Sequence, residues 1–396
     1  MTNKKLTRVC PVCDSSFGII MHNQSFIKVK YSPLTDNYDI VNCRNCGFVF
    51  ADTSSSQDDY NLYYSSLSKY EDKNISSGSG FNVNDNERLL RTARSLEKLV
   101  SKSASVLDLG CANGGQLAIL KKIGFTNLTG IDPSKVCIAN VRANVIEAYE
   151  TNIFEPYFIS LKRKFDLIIL SHVFEHIRDL GLAIDIIKSK LTDNGILYIE
   201  VPDASRYDEF YVIPYYYIDC EHINHFSHIS LRNLMIRFGF IDLETSQSTI
   251  KLNENTYYPI LYSFFKQVRN NENSLELDTK TSRSVELFLN QSRERNTSSA
   301  IFEKLISSQE EVIIWGAGQY TLRLLASSSL SKANIIGFVD SDKSKQNKKI
   351  ADITVYSPEF ISDKNATLLI CSALYSEEIV KSAILININI KYLVIN

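Results

Sequence analysis

The stretch SASVLDLGCANGGQ, residues 103–116, constrains this chain more than any other. An apolar run, Val106 to Leu109, carries Asp108 near its end and breaks into a turn of small residues before an apolar, helix-compatible segment. Strand, glycine turn and helix in that order open a βαβ unit whose ligand sits over the turn. Gly110 and Gly114 let backbone pass under a ligand where a Cβ would collide, and Asp108 puts a carboxylate at the strand tip. The turn reads Gly110-x-Ala112-x-Gly114 with its acid before the first glycine. It therefore lacks the G-x-G-x-x-G spacing that seats a dinucleotide pyrophosphate on a bare helix N-terminus.

Strands and helices alternate through the middle of the chain: Val106 to Leu109, Gly115 to Ile123, Leu128 to Asp132, Lys135 to Asn144, Phe165 to Ser171 and Ile196 to Val201. That alternation predicts a doubly wound α/β sheet, with a helix over Glu87 to Val100 packed beneath it. Asp132, 24 residues after Asp108, ends the second strand, where a carboxylate can accept both hydroxyl protons of a ribose. The strand ending in an acid followed by a G-x-G-x-G-like turn resembles the first motif of the class I methyltransferases, with Ala112 in place of the middle glycine. The ligand this implies is S-adenosylmethionine, contacted by Asp108, Gly110, Cys111, Ala112, Asn113 and Gly114 at the first turn and by Asp132 and Pro133 at the second. The resemblance adds Asn152 and Ile153 after the third strand, on the adenine, and Ser171 at the fourth tip. That tip, Ser171-His-Val-Phe-Glu-His176, is similar to the H-V-L-E-H segment of many small-molecule methyltransferases; His172 is expected near the methyl donor, and Glu175 and His176 are expected to cap the next helix.

Upstream, Cys10-Pro-Val-Cys13 and Cys43-Arg-Asn-Cys46 form two C-x-x-C knuckles. Two such turns complete a tetrahedron of thiolates around a structural zinc. The alternatives are a relic without metal, or a redox pair, and the latter lacks a thioredoxin-like context. From Ala51 to Gly80 the composition turns to Ser, Asp, Asn and Tyr, crowding Tyr60, Tyr63, Tyr64 and Tyr70 together. This reads as a connecting arm, either a plain polar linker or a cover whose tyrosines hydrogen-bond to a ligand.

Bulk properties narrow the partners. A chain of 396 residues with 44% hydrophobic content can bury two or three cores, and a net charge of −2 gives no electrostatic reason to expect a nucleic acid. No apolar run approaches a membrane span and MTNKKLTR carries no signal-peptide core, so the expected location is the cytoplasm, away from membranes. An Asn/Asp-Pro-Pro-aromatic turn or a Pro-Cys nucleophile, the marks of nucleic-acid base methylation, is absent after the fourth strand.

Three of the six histidines fall in Tyr215-Tyr-Tyr-Ile-Asp-Cys-Glu-His222-Ile-Asn-His225-Phe-Ser-His228. His225 to Ser230 reads as the start of a helix ended by Gly239, with Ser227 or Ser230 as the capping hydroxyl. His222 reads as a general base, because imidazole titrates near neutrality without a large shift. Neighbours on an extended segment point opposite ways, so Glu221 either orients His222 or faces substrate. Tyr60, Tyr63 or Tyr64 is expected to close over the substrate, and His172 is the next candidate base.

Four N-terminal thiolates, an aromatic arm, this core, the E-H-x-x-H-F-S segment and a second βαβ layer together resemble the nucleotide-sugar C-methyltransferases of deoxysugar biosynthesis. The chain departs from that family at Asp219-Cys-Glu-His222, where Tyr-His-Glu-His is usual, and at Ser246-Gln-Ser-Thr249, where His-Gly-Gly-Ser is usual. The resemblance implies methyl transfer to a nucleotide-activated deoxysugar at the carbon alpha to a ketone, by a monomer or small homo-oligomer. The rivals are O-methylation of a sugar or other small-molecule hydroxyl, and a non-catalytic, zinc-stabilised nucleotide-sugar-binding protein.

After a polar helical connector over 268–309, Val312-Ile-Ile-Trp-Gly-Ala-Gly318 opens a second Rossmann-like layer with Asp340 at its second strand. Gly316 and Gly318 make only a two-glycine fingerprint, since Thr321 or Leu322 holds the third position; no redox chemistry is expected, and the layer either helps hold the nucleotide-sugar or is structural. The expected organisation is a zinc-binding domain over 1–55, arm and lead-in helix over 56–95, methyltransferase core over 96–267, connector over 268–309 and Rossmann-like domain over 310–396.

Overall fold

The computed structural model describes residues 3–30, 32–66, 83–269, 274–296 and 298–395. Tyr31 and Tyr70 lie outside them. Among the described residues the strands form sheets of five, seven and six strands.

The first sheet is an antiparallel meander of β1 (Asn3–Lys5), β2 (Phe17–Ser25), β3 (Asn37–Cys43) and β4 (Val49–Asp52). Cys10 and Cys13 lie in the turn between β1 and β2, while Cys43 ends β3 and Cys46 lies in the turn before β4, so both knuckles meet at one end of the sheet.

The helix Val83–Glu97 leads into β5 (Ser105–Leu109), β6 (Asn127–Asp132), β7 (Glu147–Glu150), β8 (Phe165–Ser171) and β9 (Leu191–Pro202), all parallel. The two-residue β10 (Asn224–His225) leaves this region and pairs with β4, so the N-terminal sheet takes its fifth strand from the segment that follows His222. Two long antiparallel strands, β11 (Phe240–Lys251) and β12 (Tyr257–Gln267), complete the seven-stranded sheet in the order β11-β12-β9-β8-β5-β6-β7. From β5 the chain winds outward to β6 and β7, then returns to β8 on the other side of β5. This reversal opens a crevice at the carboxyl ends of β5 and β8. Leu107, Leu109, Ile168, Leu170, Leu197 and Ile199 are fully buried, because helices cover both faces of the parallel strands. Truncating any of them to alanine costs about 2 to 5 kcal/mol.

The helices Thr279–Glu294 and Ser299–Ser308 lead to the last sheet: β13 (Val312–Trp315), β14 (Ile335–Val339), β15 (Lys349–Ile350), β16 (Ile353–Tyr356), β17 (Thr367–Ile370) and β18 (Lys391–Val394), in the order β15-β16-β14-β13-β17-β18. β15 and β16, of two and four residues, are too short to show in the pattern of the sequence. Among the described residues no helix is long and apolar enough to cross a membrane.

Candidate active site

Gly110 (φ 73°) and Gly114 (φ 77°) both adopt the left-handed conformation. A Cβ on Gly110 would stand 2.9 Å from Val173 Cγ2, and one on Gly114 would stand 2.8 Å from Val141 Cγ2. The first of these contacts brings the tip of β8 against the glycine turn. Ala112 also has positive φ, 44°, at a cost of about 1 to 2 kcal/mol for a residue with a Cβ. Its N–H donates to Asp132 Oδ2 at 2.9 Å, and Ser134 N–H donates to Asp132 Oδ1 at 2.8 Å. Asp132 thus ties the first two turns together at the mouth where a ribose is expected, with Pro133 half-buried beside it. Asn113 is buried and accepts from Asn140 Nδ2 at 2.7 Å. Cys111 packs under the turn, where a Cβ on Gly130 would meet its Sγ at 2.7 Å. Burial, reinforced by the Asp132 carboxylate and opposed by Arg88, pushes Asp108 up to about 8. Asn152 Oδ1 accepts the Phe154 N–H at 2.8 Å, and Ile153 is buried.

A polar network that no local spacing announces lies beneath this crevice. Arg88, on the lead-in helix, donates to Glu200 Oε1 at 2.6 Å, to Ser171 Oγ at 3.1 Å and to Asp85 Oδ1 at 3.3 Å. Ser171 Oγ and Tyr198 Oη also donate to the two oxygens of Glu200, which is fully buried. Burial alone would raise the Glu200 pKa, but Arg88, with His172 and these donors, holds it below the usual value.

Five titratable side chains converge at the tip of β8. His172, at φ 56°, contacts Glu175 Oε1 through Nδ1 at 3.1 Å and lies 3.6 Å from Glu200 Oε1 through Nε2. Glu175 and His176 do not cap the following helix as expected: they sit on a single 3-10 turn, Phe174–His176, whose side chains turn inward, and the helix Leu180–Lys190 begins after Asp179 instead. His176 Nδ1 meets Glu221 O at 3.0 Å, and its ring lies 4.8 Å from that of His222. Burial works against ionisation of Glu175, yet His176, His172 and His222 together hold its pKa below the usual carboxylate value.

The carboxylate beside the His222 ring is Asp219, with Oδ2 at 3.7 Å from Nδ1, while Asp219 Oδ1 accepts the N–H groups of Glu221 and His222 at 2.8 and 2.7 Å. Glu221 instead faces the arm and accepts from Tyr63 Oη at 3.1 Å. Tyr64 sets its ring edge against His176 at 5.5 Å. Tyr60 is fully buried and donates to Cys220 O at 3.4 Å, so it anchors the helix Gln57–Ser66. His225 is fully buried and pushed down to about 3 by that burial, in keeping with a structural part; Ser227 and Ser230 form a reciprocal capping box on the helix His228–Arg237.

At the N-terminus Cys10 and Cys46 sulfurs are 3.6 Å apart and those of Cys13 and Cys43 are 3.4 Å apart, with all four within 4.8 Å of one another. Tetrahedral zinc with bonds of about 2.3 Å separates its sulfurs by roughly 3.8 Å, so the set fits that ion. In the C-terminal layer Asp340 repeats the Asp132 arrangement, accepting the Ala317 N–H at 2.8 Å and the Asp342 N–H at 2.9 Å, and it also meets Lys345 Nζ at 3.1 Å.

Among solved structures, the chain is similar to magnesium protoporphyrin IX methyltransferase from Synechocystis PCC 6803 with bound SAM, at 15% identity and a TM-score of 0.38 over 54% of this chain and 100% of that one. It is also similar to N-methyltransferase NodS from Bradyrhizobium japonicum WM9, at 20% identity and a TM-score of 0.36 over 48% of this chain and 98% of that one. Among curated proteins, it is 30% identical over 127 residues to a ribosomal protein L11 methyltransferase of Alkaliphilus oremlandii, covering 30% of this chain and 38% of that protein. It is 28% identical over 102 residues to a ubiquinone biosynthesis O-methyltransferase of Pelagibacter ubique, covering 25% of this chain and 42% of that protein. The chain thus spans about two fifths of the length of either curated relative. Residues 308–394 match a family described as C2185-like, N-terminal, and residues 84–245 match the family described as Methyltransferase domain. That second span holds β5 to β9, the glycine turn and the whole histidine cluster: over residues 84–245 this chain carries a methyltransferase domain.

Proposed function

We propose that the protein transfers a methyl group from S-adenosylmethionine to a nucleotide-activated deoxysugar, at the carbon alpha to a ketone, with His222 as general base. The observation that carries this reading is the convergence of His172, Glu175, His176 and His222 on the β8 tip, which packs against Gly110 of the glycine turn through Val173. Bound S-adenosylmethionine supplies an electrophilic methyl group and leaves as a neutral thioether. Asp219 faces Nδ1 of His222, which leaves Nε2 to take the alpha proton. The negative charge of Glu175 stabilises the imidazolium that results. Tyr63, held by Glu221, stands at the arm side of the site, where its hydroxyl can meet the sugar. The four thiolates hold a structural zinc, and the C-terminal layer helps hold the nucleotide-sugar. On this reading the enzyme works in the cytoplasm, with no nucleic acid or membrane as partner.

A second reading, transfer to a hydroxyl oxygen by the same base, draws on the local identity to the ubiquinone biosynthesis O-methyltransferase. Solvent exchange separates the two. With S-adenosylhomocysteine in D2O, wild type should wash deuterium into the alpha position of a nucleotide-linked ketosugar, and His222→Ala should not. Methylation without any exchange selects the oxygen acceptor; exchange unchanged in His222→Ala moves the base elsewhere, to His172 first.

A further inference from the structure

The segment from Pro214 to Asn224 carries Asp219, Glu221 and His222, yet it contains no regular structure before β10. Its oxygens are held from outside by several different parts of the chain. Tyr38 of β3 donates to Asp219 O at 2.5 Å, Tyr60 of the arm helix donates to Cys220 O, and His176 meets Glu221 O. At its far end Ala51 N–H donates to Ile223 O at 2.9 Å, and the buried Arg8 donates to Asn224 Oδ1 at 2.9 Å.

The near end belongs to one residue of the C-terminal layer. Arg323, on the helix Gln319–Ser327, is 4% exposed and donates through Nη2 to Pro214 O at 2.7 Å and through Nη1 to Tyr215 O at 2.8 Å and Ile218 O at 3.3 Å. Burial pushes its guanidinium down to about 10, and Asp219 of the same segment acts on its charge from a distance. Burying a guanidinium is costly, and here carbonyl oxygens and the faces of Tyr215 and Tyr320, at 5.6 and 5.3 Å, make the direct contacts. Tyr215 itself has φ 57°, a conformation that a side-chain-bearing residue keeps only when its surroundings over-determine it. One turn earlier on the same helix, Gln319 Nε2 donates to Cys220 Sγ at 2.7 Å, inside the catalytic turn.

We propose that Arg323 is a positioning residue for the Asp219–His222 turn, so that the C-terminal layer sets the geometry of the methyl-transfer site through a buried guanidinium fork. A planar fork can serve three carbonyls at fixed angles, and a lysine ammonium in its place cannot. The geometric claim stands independently of the reaction; only its effect on turnover rests on His222 being the base.

The test uses the full-length protein, with Arg323→Met and the milder Arg323→Lys. Amide hydrogen exchange in the peptides spanning 215–223 should rise about tenfold in Arg323→Met and less in Arg323→Lys, while β13 and the turn 110–115 keep wild-type protection. With a methyl acceptor, kcat should fall about ten- to a hundredfold in Arg323→Met at unchanged KM for S-adenosylmethionine, partly restored in Arg323→Lys. Wild-type exchange over 215–223 overturns the proposal, as does a rise spread equally through β13, which would make Arg323 a part of the C-terminal core alone. If Arg323→Met does not fold, Arg323→Lys is read by the same criteria. A wild type without methyl transfer counts against the proposed function, and the exchange result still decides the role of Arg323.

Discussion

The imidazole rings of His176 and His222 lie 4.8 Å apart, with the buried carboxylate of Glu175 on one side and that of Asp219 on the other. Two protonated rings so close would repel, and the two carboxylates offset a positive charge formed on either ring. Of the two places expected for Glu221, beside His222 or facing substrate, the first is taken by Asp219.

Glu175→Gln keeps the shape of that carboxyl and removes its charge. The Glu175 pKa is held low by the histidines, so over the neutral range the group is ionised and supports their protonated forms. Without it an imidazolium formed at His222 loses a stabilising negative charge. The acidic limb of the kcat/KM profile should move to lower pH, with a lower plateau because the base is weaker. A pH–rate profile in which the limb stays in place would separate Glu175 from the base.

Asp108 should leave a mark on stability. Its folded pKa is raised to about 8 by burial and by Asp132, whereas an unfolded aspartate titrates near 3.9. The folded state therefore keeps a proton that the unfolded state releases. Stability present below about pH 4 drains away as pH rises toward 8. Asp108→Asn abolishes this dependence, so thermal melts should show the variant gaining on wild type steadily from pH 5 to pH 8. A gap in Tm that is flat with pH contradicts the assignment.

Asp132→Ala removes the acceptor for Ala112 and Ser134 as well as the expected ribose contact. Calorimetry should find S-adenosylmethionine affinity lower by about 1.5 to 3 kcal/mol, and the turn should lose protection. Unchanged affinity would take Asp132 out of the cofactor site.

The thiolate cluster predicts about one zinc per chain in protein purified without added metal. Cys10→Ser should lose that metal and lower Tm, whereas replacing Cys111 or Cys137, which lie in the central domain away from the knuckles, should leave the metal in place. Metal that survives Cys10→Ser, or that leaves with Cys111, would contradict the four-sulfur site.

What could be read ahead of the structure was local. The C-x-x-C pairs, the run from Val106 through Gly114 and the Ser227 cap each place their partners within a few residues, so spacing alone reveals them. Glu175 and His176 look like a cap for the same reason, since an E-H pair just before an apolar helix gives no sign of the partners of His176, which lie 45 or more residues away. Arg88 with Glu200 and Arg323 with Tyr215 are separated by 112 and 108 residues, and nothing in the periodicity of either helix distinguishes them from surface arginines. β11 and β12 form a long antiparallel pair that alternation does not reveal, because the outer strand carries polar residues on both faces.

The proposed methyl transfer to a nucleotide-sugar with His222 as base is tested by following label from methyl-tritiated S-adenosylmethionine into a panel of nucleotide-linked ketosugars. Wild type should label at least one of them at carbon, and His222→Ala should bind the cofactor normally while transferring about 10² to 10⁴ times more slowly. A wild type that binds the cofactor and labels none of the nucleotide-sugars, or a His222→Ala variant that labels them at the wild-type rate, would contradict it.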